Sequence, residues 1–370
     1  MSFSDYWQQL EWQQLQQGIY EASSRDVERA LGSNKLTLEN FAALLSPAAD
    51  SYLPQMAERA ASLTRQRFGK TIQFYLPLYL SNLCANDCSY CGFSMSNRLK
   101  RRTLTPEEIE RECLAIKQMG FDSVLLVTGE HEAKVGMNYF HSVLPIIKRH
   151  FNYLMMEVQP LAQEEYRELV SLGLDAVMVY QETYHQPTYA SHHLRGKKQD
   201  FHWRLQTPDR LARAGVDKIG LGALIGLDDW RTDSLFVAHH LRYLEQNYWQ
   251  SRYSISFPRL RPCAGNTRQQ GLMRDRELVQ LISAYRLLSP QVELSLSTRE
   301  PAWLRDKLIP LGITSMSAGS STSPGGYATA TEALEQFSID DNRSPSEVQA
   351  MIQAQGFEVV WKDWERSYSG

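Results

Sequence analysis

Between residues 74 and 321 the chain repeats one pattern eight times: a short run rich in apolar residues, then an amphipathic stretch bearing helix signals. The runs are Phe74–Cys84, Ser123–Glu130, Tyr153–Gln159, Ala176–Tyr184, Lys218–Leu227, Tyr253–Arg261, Val292–Glu300 and Thr314–Ser321. In the stretch after the first run, Thr105 and Glu108 form a capping box, Pro106 takes the first helical position and Gly120 closes the end. Near-continuous apolar strands alternating with helices predict a parallel sheet covered by helices. Eight such units over about 250 residues fit an α/β fold, a TIM-type (β/α)8 barrel. An open doubly wound sheet is the alternative that periodicity alone leaves.

At 370 residues the chain is long enough for one large domain with extensions. Its division reads as an N-terminal helical extension (1–70), the barrel (71–322) and a C-terminal extension (323–370), the last with helical patterns at Thr331–Gln336 and Pro345–Gln353. Hydrophobic residues at 43% and aromatics at 11% suffice for a sizeable core. The 39 basic and 42 acidic residues nearly cancel, to −3, which speaks against a bulk basic footprint for nucleic acid. No run approaches the roughly 18 apolar residues of a membrane span, and the N-terminus lacks the basic and apolar regions of a signal peptide. Five cysteines, three of them within eight positions, are too few for a disulfide scaffold; clustered thiols point to a reducing, cytoplasmic setting and to metal or redox chemistry.

A barrel places its chemistry at the C-terminal ends of its strands. There the runs end in Cys84, Gly129-Glu130, Glu157-Val158-Gln159, Gln181–Tyr184, Arg259–Arg261, Ser297–Glu300 and Ser317–Ser321. Just past the first strand stands Cys84-x-x-x-Cys88-x-x-Cys91. Three thiolates can hold three irons of a cubane and leave the fourth open to a ligand, whereas electron carriers use four cysteines. A structural zinc is the alternative; it wants four donors at close range, and Cys113 lies 22 residues further on.

With Tyr90 before its third cysteine, this loop resembles the signature of the radical S-adenosylmethionine (SAM) superfamily. The segments NLCANDCSYCGFS, LLVTGE, MEVQPL, VYQETYH, DKIGLGALIGL, LSTRE and SMSAGSSTSPGGY resemble the aromatic amino acid lyase branch, and most of all its ThiH-type tyrosine lyases of thiamine biosynthesis. The HydG-type sister enzymes of hydrogenase maturation carry a second, C-terminal cysteine cluster; here the last 100 residues have no cysteine.

The resemblance implies a [4Fe-4S] cluster on Cys84, Cys88 and Cys91 with SAM chelated at the open iron, beside Tyr90. It implies that Glu130 meets the methionyl amino group and that Glu157, Gln181, Glu182 and Tyr184 surround the ribose or methionyl group; Arg204 is the candidate for the SAM carboxylate, with a surface arginine leading a helix as the alternative. The adenine would lie near Gly220, Gly222 and Gly226, with a strand packed tightly against a helix as the alternative. For the substrate it implies Arg299 as the carboxylate clamp, helped by Ser317, Ser320 and Ser321. On the residues alone, a surface pair of Arg299 with Glu300 stays open. The implied reaction cleaves the Cα–Cβ bond of L-tyrosine to 2-iminoacetate and p-cresol, with 5′-deoxyadenosine and methionine. Thiazole synthase (ThiG) would receive the product, and a flavodoxin or ferredoxin would supply the electron. Tryptophan lysis or HydG-like chemistry on the same scaffold is the alternative.

Overall fold

The computed structural model describes residues 2–264, 273–328 and 335–362. Eight strands form the barrel: β1 (Thr71–Ser81), β2 (Ser123–Thr128), β3 (Tyr153–Glu157), β4 (Ala176–Met178), β5 (Lys218–Leu221), β6 (Arg252–Ser256), β7 (Glu293–Leu296) and β8 (Ser315–Ser317). They pair in parallel in chain order, and β8 closes on β1 with Gln73, Phe74 and Tyr75 opposite Ser315, Met316 and Ser317. Closure excludes the open doubly wound sheet: the fold is a (β/α)8 barrel. One strand sits in each apolar run, but most stop short of the run's end. In the Ala176–Tyr184 run the continuous ladder ends at Met178; beyond it only Glu182 bridges, to Ala223, and Tyr180 and Glu182 line the cavity.

The first barrel helix, Pro106–Gln118, starts where its capping box puts it. The Thr105 backbone N–H donates to the Glu108 carboxylate (2.8 Å), the Glu108 N–H donates to the Thr105 hydroxyl (3.3 Å), and Gly120 turns the chain at φ +94°.

Strand pleat sorts the core into two layers. On β1, Phe74, Leu76 and Leu78 are fully buried against the helices, while Tyr75 and Tyr79 belong to the inner layer with Leu125, Val127, Met155 and Met178. Gly220 belongs to this packing: an added Cβ would stand 2.6 Å from Cγ of Met178. At the N-terminal end, Lys218 pairs with Glu293 (2.8 Å) and Arg252 with Glu293 (3.1 Å) and Asp217 (2.6 Å), so each buried charge has an opposite partner. The strand ends that carry the predicted site residues line a cavity at the other end.

Residues 3–68 form helices Phe3–Trp7, Trp12–Glu21, Ser24–Gly32, Leu38–Leu45 and Leu53–Phe68, which clad the outside of the barrel. They share one hydrophobic core with it: Phe3 stacks on His240 of the outer helix Trp230–Asn247 with centroids 3.6 Å apart, and Gln280 of helix Asp275–Leu288 donates to the carbonyls of Leu44 and Ser46. At the C-terminal end, helix Pro345–Ala354 leads into β9 (Glu358–Val360), which pairs in parallel with Thr71–Gln73 of β1. Of the helical pattern expected at Thr331–Gln336, residues 331–334 lie outside the described residues, and Gln336 is not helical. Among the described residues no helix is long and apolar enough to cross a membrane.

Candidate active site

The cysteine loop leaves β1 and is pinned before it reaches Cys84. Asn82 accepts the Arg102 N–H (2.7 Å) and donates to the Lys100 carbonyl (3.0 Å). Arg101 donates to the carbonyls of Asn82, Phe93 and Ser94, each at 2.7 Å, gathering both ends of the loop onto one guanidinium. Asp87 accepts from Ser94 and Ser96, and Asp87–Cys88 pairs with His193–Arg195 as a two-stranded ladder. Gly129 admits the loop to the end of β2: an added Cβ there would stand 2.4 Å from the Leu83 carbonyl oxygen.

So held, Cys84, Cys88 and Cys91 line one cavity at the C-terminal end of the barrel. Its empty space, open mouth included, is about 1500 Å³. Burial pushes the Cys84 thiol up to about 11 and raises Cys88 and Cys91 as well, so thiolates here need a metal to form at neutral pH. Neither remaining cysteine joins the triplet at the cavity. Cys113 is buried on helix Pro106–Gln118, and Cys263 donates to the Tyr90 carbonyl (3.2 Å). Among the described residues no three His, Cys, Asp or Glu side chains are placed to hold a single ion, which is what zinc would require. Three soft donors on a braced loop fit a cubane cluster with one iron left open.

Beside the cysteines stands a wall of four charges. Glu130, past β2, receives Arg204 at 3.0 Å and the Asn86 amide at 2.7 Å. Glu182, past β4, receives Lys198 at 2.8 Å and lies 3.5 Å from Arg204. Burial alone would raise both carboxyls; Arg204 and Lys198 outweigh it and hold them below the usual carboxylate range. Glu182 sits at φ +72°, the sole non-glycine residue with positive φ among those described, a strained backbone of the kind that concentrates at functional sites. Tyr90 lies at the same wall, with Lys198 5.6 Å from its ring centre and its hydroxyl 2.7 Å from His193 Nε2. Burial lowers His193 to about 2; the neutral ring donates from Nδ1 to the Tyr189 carbonyl and accepts from Tyr90.

Arg299 faces the same cavity from the end of β7, its guanidinium 3.3 Å from the centre of the Phe337 ring. The surface pair with Glu300 does not form: Glu300 is buried and bound by Arg259 (2.9 Å), and Arg299 has no carboxylate partner among the described residues. Ser317 and Ser320 line the cavity; Ser317 accepts the Thr298 N–H (3.2 Å), and the buried Ser320 hydroxyl has no partner among the described residues. Tyrosine hydroxyls complete the interior: Tyr75 with Ser295 (3.2 Å), Tyr180 with Ser256 (2.9 Å), and Tyr79 donating to Gln336 (2.7 Å).

Three expected residues lie elsewhere. Gln181 alternates with Tyr180 and Glu182 and so turns outward, toward the Phe201 carbonyl. Tyr184 is buried against the outer helix, its hydroxyl 2.9 Å from His240. Ser321 faces Ser323 (3.4 Å) and is not part of the cavity wall. Residue patterns missed Lys198, which sits in a basic, loop-like stretch, and also Gln336 and Phe337, which return to the barrel mouth from the C-terminal extension. The inward tyrosines of β1 were open to detection from the two-residue period of Tyr75, Pro77 and Tyr79.

Comparison with known proteins agrees with this geometry. Residues 78–236 match the radical SAM superfamily and residues 256–358 the Biotin and Thiamin Synthesis associated domain. The chain is 62% identical to the 2-iminoacetate synthase of Escherichia coli (strain K12), over 100% of this chain and 98% of that protein. Two crystal structures of the [FeFe]-hydrogenase maturase HydG, one from Carboxydothermus hydrogenoformans, align with TM-scores of 0.89 and 0.83. Both are 31% identical and cover 95% of this chain and 80% of HydG. Full-length identity, the barrel and the braced cysteine triplet agree: the chain belongs to the radical SAM superfamily and, within it, to the family of the 2-iminoacetate synthases.

Proposed function

We propose that this protein is a radical SAM lyase that cleaves the Cα–Cβ bond of L-tyrosine, giving 2-iminoacetate and p-cresol for thiazole formation in thiamine biosynthesis. The observation that carries the reading is one cavity joining three cysteine thiols to an unpaired, ring-stacked Arg299. A [4Fe-4S] cluster on Cys84, Cys88 and Cys91 with SAM supplies, when bound, the 5′-deoxyadenosyl radical that abstracts hydrogen from the substrate.

The remaining work falls to the chain. Glu130 and Glu182 offer carboxylates, and Lys198 and Arg204 cations, to the zwitterionic end of SAM, while Tyr90 packs beside them. Arg299 takes the substrate carboxylate through the two-pronged N–H edge of its guanidinium, whose face rests on Phe337, with the Ser317 and Ser320 hydroxyls close by. Leu125, Val127 and the tyrosines keep water from the reacting carbon. Because 2-iminoacetate hydrolyses readily, direct transfer to thiazole synthase (ThiG) suits its chemistry, with a flavodoxin or ferredoxin as reductant.

Anaerobic incubation of cluster-reconstituted protein with SAM, dithionite and either L-tyrosine or L-tryptophan tests the reading. p-Cresol from tyrosine is the expected product; 3-methylindole from tryptophan without p-cresol overturns it.

A further inference from the structure

We propose that Glu157 is the base that takes the proton from the ammonium group of the bound amino acid, so that the nitrogen enters the radical step as a neutral amine. The inference deepens the tyrosine-lyase reading and rests on it.

Glu157 ends β3, and the pleat that turns Tyr153 and Met155 into the barrel turns its carboxyl into the cavity. Of the three acids lining that cavity it alone is uncommitted: Glu130 and Glu182 each hold a cation, whereas Glu157 has no hydrogen bond or ion pair among the described residues. A carboxylate in the wall of the cavity, with no partner of its own among the described residues, is open to one from outside the chain. Its charged and titratable surroundings come from several elements. Tyr75 and Tyr79 face it from β1, Tyr180 and Glu182 from the end of β4, Arg299 from the end of β7, and Lys198 and Arg204 from the charged wall; β2 presents apolar Leu125 and Val127.

Glu157 and Arg299 line the same cavity from the ends of β3 and β7, so a substrate whose carboxylate is clamped by Arg299 has its α-ammonium free to turn toward Glu157. Proton transfer then converts carboxylate plus ammonium into carboxylic acid plus amine, with no electron moved, and the proton stays on Glu157 until product leaves. A water-excluded site favours that neutral pair over the ion pair. Burial has already pushed Glu157 up to about 7, against the pull of Arg299, so the proton has little distance to climb.

The test uses reconstituted holoenzyme as wild type, Glu157→Gln and Glu157→Asp, with kcat for p-cresol followed from about pH 5.5 to 9 and SAM affinity measured by equilibrium dialysis. Wild-type kcat should rise with pH through about 7. In Glu157→Gln it should fall at least ~10-fold and lose that limb; Glu157→Asp should be slower than wild type but keep it. SAM affinity should move less than roughly threefold in both, which a cofactor-binding role would not allow. The Gln variant should also melt higher than wild type at pH 8 but not at pH 5, because a carboxyl with a raised folded-state pKa costs stability once it is forced to ionise. A Gln variant with an intact pH limb, or one whose loss follows weakened SAM binding, overturns this inference alone. Absence of p-cresol from the wild type overturns the lyase reading and this inference with it.

Discussion

Arg299 and Glu300 are chain neighbours of opposite charge with opposite destinations. Glu300 turns to Arg259 outside the cavity, and Arg299 turns inward onto the face of Phe337. The two lie in the turn after β7, closed by the Glu300 N–H on the Ser297 carbonyl (3.4 Å), and leave it on different sides, so the guanidinium is left for a ligand. Arg299→Lys keeps the charge but loses both the fork and the stacking plane. Its KM for L-tyrosine should rise at least ~10-fold, about 1.4 kcal/mol, in steady-state p-cresol assays, with SAM affinity within about twofold. The acids at the strand ends divide in the same way: Glu130 and Glu182 each sit beside a cation of the chain, and Glu157 has no ion pair among the described residues.

At the scale of elements, the decisive piece is the cysteine loop and what lets it sit against β2. Its bracing by Arg101 and Asn82 is side chain to backbone, but the closest approach is backbone to backbone, Leu83 against Gly129. A carbonyl cannot swing aside as a flexible side chain can. Gly129→Ala should therefore displace the loop, cutting iron and sulfide per chain by at least about half on reconstitution while the far-UV circular dichroism of the barrel persists. The strands themselves were legible, since each apolar run contains one, and so was the helix cap at Thr105. Their endpoints were less so. Val179 to Tyr184 continue the run after the continuous ladder ends at Met178, with one isolated bridge at Glu182, because burial in a barrel mouth and burial in a sheet select the same residues.

At the scale of the molecule, the terminal segments belong to the barrel's architecture. The N-terminal helices clad its outside and join its core, with Phe3 fully buried on His240. Phe3→Ala should destabilise the protein by ~3–5 kcal/mol in urea unfolding, the range for a buried aromatic cut to a methyl. The C-terminal extension runs the other way, to the mouth. Gln336 bonds Tyr79 and comes within 3.9 Å of the Cys91 sulfur, and Phe337 supports Arg299. The walls of one cavity thus come from segments more than 200 residues apart in sequence.

Read as a string, the chain already determined its periodicities, its helix caps, the spacing of Cys84, Cys88 and Cys91, and the set of residues lying near the strand ends. These are local properties, set by the pleat, by the helical repeat and by ligand geometry within a few positions. Only the closed barrel decided which of those residues meet. It joined Lys198 and Arg204 to Glu130 and Glu182, turned Gln181 and Tyr184 outward, and left Ser321 behind the wall. The reason is that phase along a strand, the backbone reversal at Glu182 and the return of a distant loop each depend on contacts across the fold, and linear spacing carries no record of them.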